Sequence, residues 1–359
     1  MNKNNLHLLN EGGIPFYASQ GKISSKLDVF YNPVMVVNRD ITLLFVESFF
    51  KNKNILFLDG FSASGIRGIR LMKNNLANVV FNDISKDAFQ VINENLKINN
   101  ILATVENLDF DELVLKYKFK YDFIDIDPFG TPNPFLDLAV KYAKNGAIIA
   151  VTATDTAALT GTYPNVAKRK YWFEIQKNEM MHELGLRGLI RKCQLHGLQY
   201  EKAMIVKLAY YKDHYFRIFF QVEFGKEKCE ELMKEHKYYY LDEFRNVVAL
   251  NLNDERKNQT FGPIYVGNLY DKELLTKMYS SNQIVDKKTK KFLDILISEY
   301  DTLGFLDLHT FAKLKYISKI PKIEDVVKLG ATRTHFSATA IKSSFKNEEL
   351  LEKIKSIIN

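Results

Sequence analysis

Ile55-Leu56-Phe57-Leu58-Asp59-Gly60-Phe61-Ser62-Ala63-Ser64-Gly65 is the stretch on which the fold turns: a short apolar run passes into a loop of small residues. Small residues let the backbone approach a ligand closely before a helix starts at about Ile66. Taken alone, the loop equally suits a tight strand-to-helix turn with Ser64 as its cap.

Downstream of Ile55, short apolar runs alternate with helical patterns. That alternation predicts the α/β class, a parallel sheet covered on both faces. Strands are expected over 55–58, 79–82, 104–107, 121–126 and 147–152, with helices over 65–74, 86–99 and 135–143 between them. Ala88, Val91, Ile92 and Leu96 share one stripe of the second helix, the spacing of a buried face. A long helix is expected over 167–193, then an antiparallel hairpin of 203–211 and 215–224 around Lys212-Asp213-His214. Parallel strands closed by a hairpin are the inventory of the Rossmann-like class I methyltransferase sheet. The first domain therefore runs over 1–225, and residues 226–359 read as a smaller α+β domain with a helix over 287–300.

The 359 residues suit two domains, and 46% apolar against 26% charged is the balance of a globular chain with a sizeable core. Fifty Lys plus Arg against 43 Asp plus Glu leaves a formal +7, which favours a polyanionic partner. Cys193 and Cys229 are too few for a disulfide framework and too far apart for a zinc knuckle, so the setting is intracellular and reducing. The polar start, residues 1–10, lacks the apolar run of a signal peptide, and no stretch has the length of a membrane span. A cytoplasmic protein is expected.

In open α/β sheets ligands gather at the carboxyl ends of strands, where helix N-termini and loop amides point. Asp59 follows the first strand, and Asp83 the second, where a carboxylate can accept both hydroxyls of an adenosine ribose. Serines at 62 and 64 replace the glycines of a dinucleotide fingerprint, which favours a nucleoside cofactor without pyrophosphate. S-adenosylmethionine is one. Asp109 and Phe110 follow the third strand, placed either to meet adenine or, with Asp111, merely to start a helix.

Asp127-Pro128-Phe129-Gly130 follows the fourth strand. A planar aromatic amine such as that of guanine is a weak nucleophile, because its lone pair is delocalised into the ring. Methylating it calls for an acceptor that localises the pair and an aromatic face that holds the base flat. Asp127 or the Pro128 carbonyl supplies the acceptor and Phe129 the face; a rigid loop with Phe129 in the core is the plainer alternative.

With these motifs the sequence resembles the tRNA guanine-26 N2-dimethyltransferase family. The resemblance is carried by Val29-Phe30-Tyr31-Asn32-Pro33 with Asn38-Arg39-Asp40, by Ser62-Ala63-Ser64-Gly65-Ile66-Arg67-Gly68, and by Asn82-Asp83-Ile84. It continues through Asp127-Pro128-Phe129-Gly130-Thr131-Pro132 and Thr152-Ala153-Thr154-Asp155. Gly262-Pro263 with Gly267, and Thr332-Arg333-Thr334-His335-Phe336 with Thr339-Ala340-Ile341-Lys342, extend it to the far end. It implies that Arg39, Arg67, Asp83, Asp109 and Phe110 line an S-adenosylmethionine site and that Asp127 is catalytic. An arginine fork suits the methionine carboxylate. Many relatives carry a cysteine cluster early in the second domain, whereas this chain has Cys229 there with only His236 nearby, so no metal is expected.

The tRNA partner so implied needs contacts. Lys168-Arg169-Lys170 are placed to meet phosphates, and Tyr171 and Trp172 beside them either stack on bases or pack. Lys287-Lys288 and Lys290-Lys291 read equally as a solvated helix face. Arg333, His335 and Lys342 are the second domain's candidates for gripping RNA. Two rivals remain at this level: a methyltransferase acting on adenine or glutamine amino groups, and an RNA-binding module on a degenerate methyltransferase fold.

Overall fold

The computed structural model describes residues 6–19, 29–51, 54–250, 260–283, 285–315 and 320–358. The first five residues of the polar start lie outside them. The hairpin of β1 (Leu6–Glu11) and β2 (Ile14–Ser19) leads to helix α1 (Val36–Phe49). Neither has a sequence expectation, and for α1 the reason is physical. Every residue from 37 to 46 is buried, the polar Asn38, Arg39, Asp40 and Thr42 included, so no apolar stripe stands against a polar face.

The main sheet alternates strands and helices: β3 (Ile55–Asp59), α2 (Ile66–Lys73), β4 (Ala77–Asn82), α3 (Lys86–Ile98), β5 (Thr104–Glu106), α4 (Phe110–Lys116), β6 (Phe123–Ile126), α5 (Asn133–Lys141) and β7 (Ile148–Ala153). Short turns α6 (Thr156–Leu159) and α7 (Pro164–Val166) precede the long helix α8 (Met181–Leu198), and β8 (Lys202–Lys212) and β9 (Tyr215–Phe224) form the closing hairpin. Strand order is β5-β4-β3-β6-β7-β9-β8, parallel through β7 and antiparallel thereafter. This is the Rossmann-like methyltransferase sheet. Because the parallel strands end together, Asp59 lies in register with Asp125, and the loops after β3, β4 and β6 open on one edge.

The expected helix over 167–193 is interrupted. A π turn, Ala167–Tyr171, ends at Trp172, whose φ of 60° is left-handed, and the chain folds back so that Phe173 packs on Gly188 of α8. Glu174 then exchanges two backbone hydrogen bonds with Gly262, at 2.7 and 2.8 Å, and α8 starts only at Met181.

Beyond Phe224 follow α9 (Lys226–Lys234), β10 (His236–Leu241), β11 (Val247–Ala249), β12 (Phe261–Tyr265), α10 (Lys272–Tyr279), α11 (Lys287–Ser298), β13 (Leu306–Asp307), α12 (Leu308–Leu314), α13 (Ile323–Lys328), β14 (Thr332–Arg333), β15 (Ala340–Lys342) and α14 (Asn347–Ile358). They build two small antiparallel sheets, β11-β10-β12 and β13-β15-β14. The apolar core of the main sheet runs on as far as Phe305 and also takes in Phe336 and Ala340, while Leu306, Phe311, Val326, Ile341, Leu350 and Ile354 belong to a second, smaller core. Helices α10 and α11 pack on α1, and Asp40 accepts hydrogen bonds from the Asp286 N–H at 2.9 Å and the Thr289 hydroxyl at 2.6 Å. Among the described residues no helix is long and apolar enough to cross a membrane.

Candidate active site

A cleft of about 550 Å³ lies at the carboxyl edge of β3, β4 and β6. Arg39, Asp59, Arg67, Asp83, Asp127, Pro128 and Phe129 all line it. Its floor is the small-residue loop. The Ser62 N–H donates to the Asn82 carbonyl at 2.9 Å, and Gly65 takes a left-handed φ of 77° to turn the chain into α2. A Cβ on Gly60 would come within 2.6 Å of Phe110 and 3.0 Å of the Asp125 carbonyl, so only glycine fits there.

Phe110 supports this loop from behind, buried and stacked on Phe61 at 5.1 Å between ring centroids. Asp109 is exposed and caps α4, accepting the Asp111 N–H at 2.9 Å. Neither side chain is among those lining the cleft. Asp83 takes one backbone N–H on each oxygen, from Ala63 and from Ser85, both at 2.9 Å. Each oxygen keeps a lone pair. Burial pushes the Asp83 carboxyl above its ordinary pKa against those two bonds.

The charges at the centre form one chain. Arg217 on β9 donates to both oxygens of Asp125 on β6, at 2.7 and 2.9 Å. Arg67 reaches Asp125 with Nε at 3.2 Å, Asn38 and Thr42 with Nη1 at 2.8 and 2.9 Å, and Asp127 with Nη2. Burial disfavours the Asp125 charge, but Arg217 and Arg67 together hold its carboxyl below the ordinary value. Asp59 is treated differently. Its Oδ2 is buried without a hydrogen-bond partner among the described residues, and burial raises its carboxyl to about 7; the Asp125 and Asp127 charges add to the rise, and Arg67 only partly opposes it.

Arg39 gives Nε and Nη2 to Glu11 and shares Nη2 with the Asn32 carbonyl at 3.1 Å. Burial opposes the Glu11 charge, yet Arg39 and Arg70 hold that carboxyl down at about 2. Phe129 is 55% exposed, with the edge of Phe30 against it at 4.6 Å, so it is a lip of the cleft and not part of the core. Gly130, at φ 74°, fixes the loop: its N–H donates to the Thr154 hydroxyl at 2.8 Å, and its carbonyl accepts from the Thr154 and Asp155 N–H groups.

Sequence reasoning passed over Asn38, Thr42, Asp125 and Arg217. The available signal was a charge inside an otherwise apolar strand, Asp125 in Phe123–Ile126 and Arg217 between Phe216 and Ile218. Such a charge needs a buried partner.

Among the RNA candidates, Lys168, Arg169 and Arg333 are exposed; Lys168 pairs with Glu174 at 3.0 Å and Arg333 with Glu324. His335 and Lys342 require correction. Their side chains have no exposed surface: His335 Nδ1 meets Glu299 at 2.6 Å, and Lys342 lies 3.3 Å from both Glu183 and Glu299. They close the joint between the second region and α8 and have no access to a phosphate. Cys193 and Cys229 are buried free thiols, and His236 bonds Gln194 at 2.8 Å. Among the described residues no three His, Cys, Asp or Glu side chains gather as metal ligands.

The family model for N2,N2-dimethylguanosine tRNA methyltransferase matches residues 13–355. The tRNA (guanine(26)-N(2)/guanine(27)-N(2))-dimethyltransferase of Aquifex aeolicus is 34% identical, over 93% of this chain and 92% of that relative. The tRNA (guanine(26)-N(2))-dimethyltransferase of Pyrococcus horikoshii is 35% identical, over 92% and 93%. Among solved structures, the complex of Trm1 from Pyrococcus horikoshii with S-adenosyl-L-methionine matches with a TM-score of 0.88 at 32% identity, covering 97% of this chain and 99% of that one.

Proposed function

The chain belongs to the N2,N2-dimethylguanosine tRNA methyltransferase family, and from that premise we propose that it methylates the exocyclic N2 of guanine 26 in tRNA, with S-adenosylmethionine as methyl donor. The observation that carries the reading is Asp127, salt-bridged to Arg67 at the wall of a cleft whose lip is the exposed Phe129.

The residues present fit the cofactor. Asp59 offers a buried, unpartnered carboxylate oxygen suited to the ammonium of the methionine end, and Asp83 keeps lone pairs for the ribose hydroxyls. Arg39 lines the same cleft with Nη1 unengaged among the described residues, the donor a carboxylate needs. Arg67 is engaged at all three nitrogens, so its first duty is to orient Asp127, leaving one Nη2 hydrogen for the cofactor. Phe110 supports the loop that the adenosine would rest on, and Asp109 caps the helix beside it. When bound, S-adenosylmethionine supplies a methyl group made electrophilic by its sulfonium.

Asp127 accepts a hydrogen bond or proton from the guanine amino group as positive charge builds on that nitrogen, with the Pro128 carbonyl beside it. Phe129 holds the ring flat, and the Gly130 clamp keeps both side chains in place. A stacked guanine cannot reach this cleft, so the nucleotide is extruded at a cost of about a few kcal/mol, offset by contacts to flanking RNA. Lys168, Arg169 and Arg333 are suited to those contacts by exposure and charge. Residues 1–225 form the catalytic unit in this proposal, and 226–359 hold the tRNA. Buried, unpaired cysteines and a tRNA substrate support action in the cytoplasm.

Unmodified tRNA incubated with protein and S-adenosylmethionine, then digested and analysed by nucleoside mass spectrometry, is expected to yield N2-methylated guanosine at position 26. Methylation of adenine, or no methylated nucleoside at all, would overturn the proposal.

A further inference from the structure

The segment that joins β7 to α8 carries the chain's single tryptophan. Tyr171 is buried; its hydroxyl bonds Thr131 at 3.0 Å and Asp155 at 3.3 Å, and Asn133 donates to the Lys170 carbonyl at 3.0 Å. The segment is therefore tied directly to the strand-end loop that presents Asp127 and Phe129. Trp172, one residue on, turns the other way. Its left-handed backbone throws the indole outward, and it stays 48% exposed.

The indole is nevertheless held. Arg191 donates to the Trp172 carbonyl at 2.9 Å, the Lys192 ammonium lies over the ring, and the His196 imidazole stacks on it at 5.9 Å and 21°. Lys192 and His196 are one turn apart on α8, so one helix supplies both contacts. With both neighbours in place, about half of the residue still faces solvent. Lys168 and Arg169 on the preceding π turn are exposed, and Tyr163, 58% exposed, stands at the start of the segment. A held, half-exposed aromatic flanked by cations and anchored to the catalytic loop has the composition of a single-strand nucleic-acid platform. A bulky residue kept in a left-handed conformation and exposed points the same way.

We propose that Trp172 is a stacking platform for a base of the tRNA next to the extruded guanine, with Lys168 and Arg169 on the adjoining phosphates. The proposal rests on tRNA being the substrate, but its test does not depend on turnover. With one tryptophan in the chain, fluorescence excited at the red edge of the indole band, where tyrosine does not absorb, reports this residue alone. Titration of the full-length protein with unmodified transcribed tRNA should quench that fluorescence saturably, with the midpoint found by filter binding. Trp172→Ala should raise KM for tRNA about five- to twentyfold with kcat changed less than twofold, and Trp172→Phe should recover most of the loss. Saturated binding without a change in fluorescence, or a wild-type KM in the Ala variant, would overturn the platform. Quenching without any methylated guanosine would keep the platform and sink the proposed reaction instead.

Discussion

Buried charge collects in two places in this molecule, and the two are built to different rules. At the joint between α8 and the second region, Glu183 has Arg187 at 2.9 Å and Lys342 at 3.3 Å, and Glu299 has His335 at 2.6 Å and Lys342 at 3.3 Å. Lys342 is shared between the two carboxylates, Arg187 adds a second cation to Glu183, and the His335 imidazole meets Glu299; Glu183 Oε2 and His335 Nε2 make no hydrogen bond among the described residues. Burial disfavours the Glu299 charge, yet His335 and Lys342 keep its carboxyl down at about 2. At the strand ends, Arg217 and Arg67 satisfy Asp125, whereas Asp59 beside them keeps a naked oxygen and a raised carboxyl. Ion pairs to both carboxylates hold two pieces of chain in one geometry. Pairing left incomplete on one edge of a cleft leaves binding capacity for a ligand that brings the missing charge.

The largest effect that would break this contrast lies at the joint. Lys342→Met leaves Glu183 and Glu299 short of a cation in a buried setting, and about 3–5 kcal/mol of stability should be lost, read as a lower urea midpoint. At temperatures where the variant stays folded, the salt dependence of its tRNA binding should match wild type, because Lys342 contacts no phosphate. A shallower salt slope with full stability would restore Lys342 to the RNA surface.

A somewhat smaller effect is expected at Asp127. Asp127→Ala should lower kcat by roughly a hundredfold or more, about 2.7 kcal/mol, with tRNA and cofactor affinities little changed. Asp127→Asn separates two roles, since its amide oxygen still accepts a hydrogen bond but does not hold a proton. Residual activity in Asn with almost none in Ala assigns hydrogen bonding; equal loss assigns the charge. Near-normal single-turnover methylation by a folded Ala variant would hand the role to the Pro128 carbonyl.

How much of this was legible follows the same division. The seven strands of the main sheet and helices α2, α3 and α5 announce themselves because their apolar residues repeat with the period of the element that buries them. The cleft acids were legible for a related reason: a carboxylate straight after an apolar run has few structural duties. Helix α1 was silent because it is buried all round. His335 and Lys342 were misread because a charge in sequence looks like surface until its partners are known, and Glu183 and Glu299 come from other elements. Trp172 stood open between packing and stacking, and only the break in the expected helix turns it outward.

The most direct test of the contrast is the pH dependence of S-adenosylmethionine affinity, measured by calorimetry between pH 5.5 and 7.5, where the cofactor's amine stays largely charged. Asp59 titrates at about 7 in the free protein, and a cationic ligand beside it favours the deprotonated form. Affinity should therefore weaken as pH falls below 7, approaching tenfold per pH unit at the acid end, and Asp59→Asn should bind more weakly with this dependence removed. A wild-type affinity that stays flat across the range, or an Asn variant with the same slope, would contradict the assignment of the unpaired acid to the cofactor.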